Sequence, residues 1–317
     1  MQKIKIGILG CAEIAQRLMI PAIIKHPAFE LVSVASRSPR KAKRIINSNN
    51  CKAKVDNYNS IISNPEIDAL YIPLPNGIRY EWIIKALSSG KHVLSEKSIA
   101  MSFSAAQSMV RLARKKKKIL LENFMFLNHL QHNYVSRVIE NKEIGKILSI
   151  ISNFSIPNPK SSDIRMNPKL GSGALFDLGC YNIRLPFFLF KEDFRPIFYN
   201  GIKKKNIDQF GYLAMKSKNN IYSISQFGFG SSYQNYYKVI GNKGSLYVKR
   251  AFSMPNNEKP EITIKMNQKT KKVRLSSDDQ FYNTLSKFYN DIKNKNIDEN
   301  CIEILSQAKI IEKIRKY

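Results

Sequence analysis

The chain has 317 residues, 52 Lys and Arg against 24 Asp and Glu, and a formal net charge of +28. At roughly 150 residues per domain that length suggests two domains, and 43% hydrophobic with 24% charged residues excludes a disordered basic tail. No apolar run approaches the ~20 residues needed to cross a bilayer, and the apolar stretch in the opening MQKIKIGILGC is too short for a signal peptide, so a cytoplasmic location is expected, with no membrane partner.

In chain order, residues 3–9 (KIKIGIL) form an apolar, β-branched run that predicts a strand, followed by the turn Gly10-Cys11-Ala12 and a helix through residues 17–23. A second strand is predicted at 30–35 and a helix at 39–47. Residues 68–72 (DALYI) read as a third core strand that ends in Pro73-Leu74-Pro75-Asn76. A helix at 81–89, a strand at 91–95, a long amphipathic helix at 102–116 and a short strand at 119–122 complete the first half. Short apolar strands alternating with helices predict a parallel sheet covered on both faces. After about residue 125 the pattern changes. A helix at 131–140 leads into a strand at 147–156. Alternating segments at 209–215, 221–229, 236–240 and 245–249, with two more at 261–265 and 272–275, predict a largely antiparallel sheet. One strong helix, 174–189, interrupts them, and two more, 278–293 and 301–316, close the chain.

The charge is spread evenly, net +13 over residues 1–125 and +15 over 126–317. A nucleic-acid partner would need a focused basic face, so none is expected. Richness in Ile, Lys and Asn, whose codons are A/T-rich, accounts for the lysines instead, and the surplus still draws anionic ligands toward the surface. Cys11, Cys51, Cys180 and Cys301 form no C-x-x-C pair and no zinc spacing with histidine. Free thiols and no metal are expected.

Gly7 and Gly10, with Ala12 and Ala15 as further small residues, depart from G-x-G-x-x-G but keep its physics. Small residues let backbone N–H groups approach a pyrophosphate at a helix N-terminus, where the macrodipole favours an anion. Gly7, Gly10, Cys11, Ala12, Glu13 and Ile14 form the candidate cradle. A fold specific for NAD places an acid at the end of the second strand, on the ribose 2′-hydroxyl. Here Ala35-Ser36-Arg37-Ser38-Pro39-Arg40 offers a hydroxyl and two guanidinium forks, which suit phosphate. NADP(H) is expected over NAD(H), with Ser36, Arg37 and Arg40 at the 2′-phosphate.

The segments Pro73-Leu74-Pro75-Asn76, Glu81-Trp82 and Gly90-Lys91-His92-Val93-Leu94-Ser95-Glu96-Lys97 resemble the glucose–fructose oxidoreductase and inositol dehydrogenase (Gfo/Idh/MocA) family, which ends this stretch in Glu-Lys-Pro. Four later segments match in order. They are Phe124-Met125-Phe126 with His129 and Gln131; Gly145-Lys146-Ile147; the run from Gly171-Ser172-Gly173 through Asp177-Leu178-Gly179-Cys180-Tyr181; and Ile240-Gly241-Asn242-Lys243-Gly244-Ser245-Leu246. The resemblance covers nearly the whole chain. It implies an α/β protein with an N-terminal Rossmann domain, residues 1–123, and a C-terminal α+β domain, residues 124–317, built on a large, mainly antiparallel open sheet. That sheet would serve substrate binding and association into a homodimer or homotetramer. Pro73, Leu74, Asn76, Glu96 and Lys97 would line the cofactor, and a pyranose, cyclitol or related hydroxyl–ketone compound would be the substrate.

Hydride transfer to a carbonyl needs the reacting carbons about 3–3.5 Å apart and a proton donor at the carbonyl oxygen. Asp177 and Tyr181 are four apart and share a helix face. Tyr181 places the chain in the tyrosine branch, which resembles dihydrodiol dehydrogenases and nucleotide-sugar ketoreductases and in which this tyrosine is the acid. A free phenol titrates near ~10, and a nearby ammonium lowers that value; Lys97 is the expected source. Glu96 would fix Lys97 or contact the nicotinamide ribose, and Asp177 would bind a substrate hydroxyl. His129 reads equally as a packed histidine and as a lesser substrate candidate, and Asp163 and Arg165 read first as a solvated loop and otherwise as contacts to substrate hydroxyls or a phosphate. His26, His92 and His132 are expected to be structural.

Three positions depart from the family pattern. Ser98 replaces the proline after Lys97 and removes its φ constraint. Arg79 stands where many members carry His, and Leu127 where many carry Arg. The expected activity is that of an NADP-dependent oxidoreductase on a sugar, nucleotide sugar or related compound. The alternative is a weak or inactive family member that senses NADP(H) or a sugar.

Overall fold

A computed structural model describes residues 3–171, 173–205 and 207–317. Ser172, in the glycine-rich segment quoted above, lies outside them. The chain divides into two compact units, Met1–Asn123 with Phe281–Ala308, and Phe124–Gln280 with Lys309–Tyr317.

The first unit alternates strand and helix: β1 (Ile4–Leu9), α1 (Ile20–Lys25), β2 (Phe29–Ala35), α2 (Pro39–Ser48), β3 (Lys54–Asp56), α3 (Tyr58–Ser63), β4 (Ala69–Ile72), α4 (Asn76–Ser88), β5 (His92–Glu96), α5 (Phe103–Lys116) and β6 (Leu120–Asn123). The six strands form one all-parallel sheet in the order β3-β2-β1-β4-β5-β6, the Rossmann order expected. Its central strand β4 is apolar throughout and every residue of it is buried, because helices cover both faces and leave no solvent side to alternate toward. β3 and α3 are absent from the sequence reading; β3 is three residues long and mostly exposed, too short for a periodic signal.

The second unit begins with α6 (Leu130–Glu140), β7 (Ile147–Ile156) and α7 (Cys180–Phe190). Then come β8 (Phe194–Lys204), β9 (Ile207–Ser217), β10 (Tyr222–Phe229), β11 (Gln234–Gly241), β12 (Gly244–Lys249), β13 (Glu261–Met266) and β14 (Lys269–Arg274). These strands make an eight-stranded sheet in the order β14-β13-β12-β11-β7-β10-β9-β8. All neighbours are antiparallel except β7 and β10. One face is buried under α7. The other carries exposed Phe198, Ile202, Tyr212, Tyr222 and Ile224. β8 was missed because apolar residues on both of its faces erase the two-residue alternation.

The expected second domain, 124–317, differs from what is found. Most of α8 (Gln280–Asn294) and of α9 (Ile297–Ile314) belongs to the first unit. The ring of Phe288 stacks on that of Phe29 at 6.3 Å, His26 Nε2 lies 3.0 Å from Ser286 Oγ, and Cys301, Ile304 and Ala308 join the core around β4 and α5. Helical periodicity reveals an apolar face but not which sheet it covers. All four cysteines are free, and no helix among the described residues is long and apolar enough to cross a membrane.

Candidate active site

Parallel pairing decides where the cofactor half lies. Because β1, β2, β4 and β5 run the same way, Gly10, Ser36-Arg37, Pro73-Leu74 and Glu96-Lys97 all leave the sheet at its carboxyl edge. There β1 sits between β2 and β4, the switch point at which open α/β sheets bind ligands. Gly10 adopts φ +125°, and a Cβ on it would lie 2.8 Å from Leu74 Cδ2. Only glycine allows this turn. Its N–H donates to Ala35 O at 3.0 Å. Cys11, Ala12, Glu13 and Ile14 follow it into a π-helical turn, Ala15–Met19, ahead of α1. This open backbone cradle fits a pyrophosphate. Gly7, within β1, is packed against Ile61 and Leu70 and supports the strand rather than facing a ligand.

At the end of β2, Ser36 is buried and its Oγ accepts from Ser38 N at 3.1 Å. Burial pushes the pKa of the Cys11 thiol up, against the neighbouring Ser36 hydroxyl and the nearby charge of Lys41. Arg37 and Arg40 are exposed. Burial raises the pKa of the Tyr58 phenol, against the nearby charge of Arg37, and the Tyr58 ring meets Trp82 edge-on at 4.9 Å. Asp56, opposite Ala35 on β3, turns its carboxylate to Ser33 and Asn57. Ser36, Arg37, Tyr58 and Lys41 thus gather beside the cradle, a donor set suited to a 2′-phosphate. Tyr58 and Lys41 escaped the sequence reading: Tyr58 opens the unread α3, and Lys41 is one of many surface lysines.

The carboxylate of Glu96 is gripped from the neighbouring strands. Its Oε1 accepts from Tyr71 OH at 2.7 Å and from Asn123 Nδ2 at 2.6 Å. Lys97 follows, half-buried, and the Lys97–Ser98 peptide is cis. Asn76 opens α4, and Arg79 is buried one turn on.

In the second unit, Tyr181 lies at the start of α7, just after a π-helical turn, Leu175–Gly179. Such turns recur at functional sites and leave no mark in a sequence. The Tyr181 ring is boxed by Phe124, Phe126, Phe154 and Phe252, with centroids 5.2–5.8 Å away, and its hydroxyl lies 3.7 Å from Met125 Sδ. One turn earlier, Asp177 Oδ2 accepts from Arg165 Nε at 2.6 Å, while Arg165 Nη1 reaches Asp163 Oδ2 at 3.1 Å. The Asp177 charge, foremost, holds Arg165 above its ordinary pKa. Asp163, Arg165 and Asp177, three of the polar residues named as substrate candidates, are therefore one cluster. His129 is fully buried and caps α6, its Nδ1 accepting from Gln131 N at 3.2 Å. Burial lowers its pKa, and its other ring nitrogen, Nε2, is buried without a hydrogen-bond partner.

Residues 4–124 match the model of an oxidoreductase family with an NAD-binding Rossmann fold, and residues 132–247 match the Gfo/Idh/MocA C-terminal domain. The dTDP-3,4-didehydro-2,6-dideoxy-α-D-glucose 3-reductase of Saccharopolyspora spinosa is 33% identical over 98% of this chain and 96% of its own. The reductase of the same name from Streptomyces antibioticus is 30% identical, again over 98% and 96%. A 3-ketoreductase from Actinomadura kijaniata, solved with NADP and TDP-benzene, is 30% identical with a TM-score of 0.95, covering 99% of this chain and 98% of that one. The chain belongs to the Gfo/Idh/MocA family of NAD(P)-dependent oxidoreductases.

Proposed function

We propose that the protein is an NADP(H)-dependent ketoreductase of a nucleotide-linked keto sugar, with a dTDP-linked 3-keto deoxysugar as the leading substrate class. End-to-end similarity to reductases of that class, one of them solved with NADP and TDP-benzene, carries this reading. The Ser36, Arg37, Tyr58 and Lys41 set supports the choice of NADP(H).

Bound NADPH supplies the hydride. The chain's own residues hold the sugar carbonyl in place and deliver a proton to its oxygen as charge develops there. Tyr181 gives that proton in reduction and takes it back in oxidation; its aromatic box keeps the ring still while the proton moves. In this reading Lys97 is the cation that assists proton delivery, since an ammonium favours a phenolate. Asp177, aligned by Arg165, accepts from a sugar hydroxyl. Glu96, steadied by Tyr71 and Asn123, accepts from the nicotinamide ribose. The sensor alternative has no support: the similar proteins are named reductases, and Lys97, Asp177 and Tyr181 are all present.

The exposed apolar face of the eight-stranded sheet, where Phe198 is 51% and Ile202 60% accessible, is the kind of patch that marks association. A homodimer or homotetramer through it is part of the same reading. So is a cytoplasmic location, where free thiols stay reduced.

The test is NADPH oxidation with a dTDP-linked 3-keto sugar, free keto sugars and vicinal diketones. Turnover of the nucleotide sugar alone is expected. Turnover of diketones alone would move the protein to the dihydrodiol branch, and NADPH binding with no turnover would revive the sensor.

A further inference from the structure

The Ser98–Ile99 peptide unit, one residue beyond Lys97, is held at both ends by opposite charges. Ser98 C=O and Ile99 N–H belong to one planar peptide group. Arg79 Nη1 donates to Ser98 O at 2.6 Å, and Ile99 N donates to Glu122 Oε1 at 2.7 Å. Arg79 also donates through Nε, at 2.9 Å, and Nη2 to the carbonyl of Leu74. All three side chains are buried: Arg79 is 3%, Ser98 1% and Glu122 9% accessible.

This arrangement has a direction. The guanidinium sits on the negative end of the peptide dipole and the carboxylate on the positive end, so both hydrogen bonds are charge-assisted. One arginine fork joins the turn after β4, at Leu74, to the turn after β5, at Ser98. A lysine at 79 would bring a point charge but not the planar fork that spans two carbonyls. Serine at 98 puts no ring constraint on the backbone, so the geometry of this turn rests on bonds from α4 and β6. Neither Arg79 nor Glu122 has a part in the chemistry proposed above.

We propose that Arg79 and Glu122 are positioning residues that set the place of the Lys97 ammonium through the Ser98–Ile99 peptide. The proposal rests on the reading that Lys97 assists Tyr181. By fixing the main chain next to Lys97, the clamp limits how far the ammonium wanders and so how strongly it acts on the phenol. Loosening the clamp should weaken proton delivery while leaving the adenosine end of the cofactor site as it was.

The test uses the full chain with NADPH and a dTDP-linked 3-keto sugar. Arg79→Lys, Glu122→Gln and Lys97→Met are made singly, and Arg79→Lys is also combined with Lys97→Met. Melting curves and NADPH titrations followed by the fluorescence of the single tryptophan, Trp82, establish folding and binding. Arg79→Lys should lower kcat about tenfold or more and displace the pH–rate profile, with NADPH affinity within about twofold of wild type. Glu122→Gln, which keeps an acceptor oxygen but not its charge, should do the same more weakly and serves if Arg79→Lys does not fold. In the Lys97→Met background the Arg79→Lys loss should disappear, because its route is gone. A full Arg79→Lys loss in that background overturns the clamp while leaving the role of Lys97 standing. A lowered melting temperature with wild-type kcat and pH profile in both single variants overturns it as well. Wild-type turnover in Lys97→Met overturns the reading of Lys97 itself, and the clamp with it.

Discussion

Arg165 Nε lies 2.6 Å from Asp177 Oδ2, so two residues expected separately to meet substrate first meet each other. The pair is partly open to solvent, with Arg165 40% and Asp177 21% exposed, which weakens it as a stability element and leaves both groups within reach of a ligand. Arg165→Ala and Asp177→Asn should each raise KM for the nucleotide sugar about tenfold, the scale of one charge-assisted hydrogen bond after screening. The melting temperature should move little. Steady-state kinetics check this; an unchanged KM in both variants would make the pair a loop brace.

Tyr181→Phe keeps the ring in its box of four phenylalanines and removes only the proton donor. Turnover should fall ~10²–10⁴-fold while thermal stability and NADPH affinity hold. Near-normal kcat would remove Tyr181 from the chemistry.

Arg37→Ser should raise KM for NADPH by about ten- to a hundredfold and leave the weaker NADH reaction nearly unchanged, because only NADPH carries the 2′-phosphate that the guanidinium and Tyr58 would hold. Parallel measurements with the two cofactors decide it. Equal losses with both would place Arg37 elsewhere in the site.

Phe227 is fully buried between two glycines. A Cβ on Gly179 would lie 2.8 Å from its ring, and one on Gly211 2.7 Å from it. The close approach brings the turn before Tyr181 down onto β10. Gly179→Ala should cost about 1–3 kcal/mol by overpacking and lower the melting temperature by several degrees. A calorimetric scan matching wild type would show that the ring has room to shift.

His132 is fully buried, its Nδ1 3.0 Å from Tyr237 OH and its Nε2 2.8 Å from Ala251 O. Burial lowers its pKa to about 3, and burial with the Lys118 charge lowers that of His92 to about 4. Both folded values lie below the ordinary 6.5, so the unfolded chain binds these protons first. Their stabilisation is full above about pH 6.5 and is lost as pH falls toward 4 and then 3. The unfolding free energy from urea titrations should drop between pH 7 and pH 5 by up to about 1.4 kcal/mol per pH unit for each histidine. A flat profile across that interval would show that both rings accept protons while folded.

Much of the first unit was legible because its strands are short, apolar and separated by turns. Gly10, Ser36-Arg37 and Glu96-Lys97 each stand at a strand end, and parallel pairing alone carries such ends to one edge. In the second unit, Asp177 and Tyr181 were legible as a four-residue spacing on a helix. Other features were hidden. β3 and α3 carry too few residues to show a period, so Tyr58 went unseen beside Arg37. Helices α8 and α9 showed apolar faces without saying that they cover the first sheet. The grip on Glu96 comes from Tyr71 and Asn123, 25 positions before it and 27 after, and no local pattern links such distances.

By itself, then, the sequence determined the strand–helix alternation and the run of phosphate-type donors at the end of β2, because these depend on residues near one another along the chain, while Tyr181 and Lys97 were singled out by the family resemblance. The tertiary structure alone decided which groups hold those residues. Tyr71, Asn123, Arg79 and Glu122 act on Glu96 and on the Ser98–Ile99 peptide only because adjacent strands and α4 bring them within 3 Å, and a hydrogen bond depends on that distance rather than on separation in sequence.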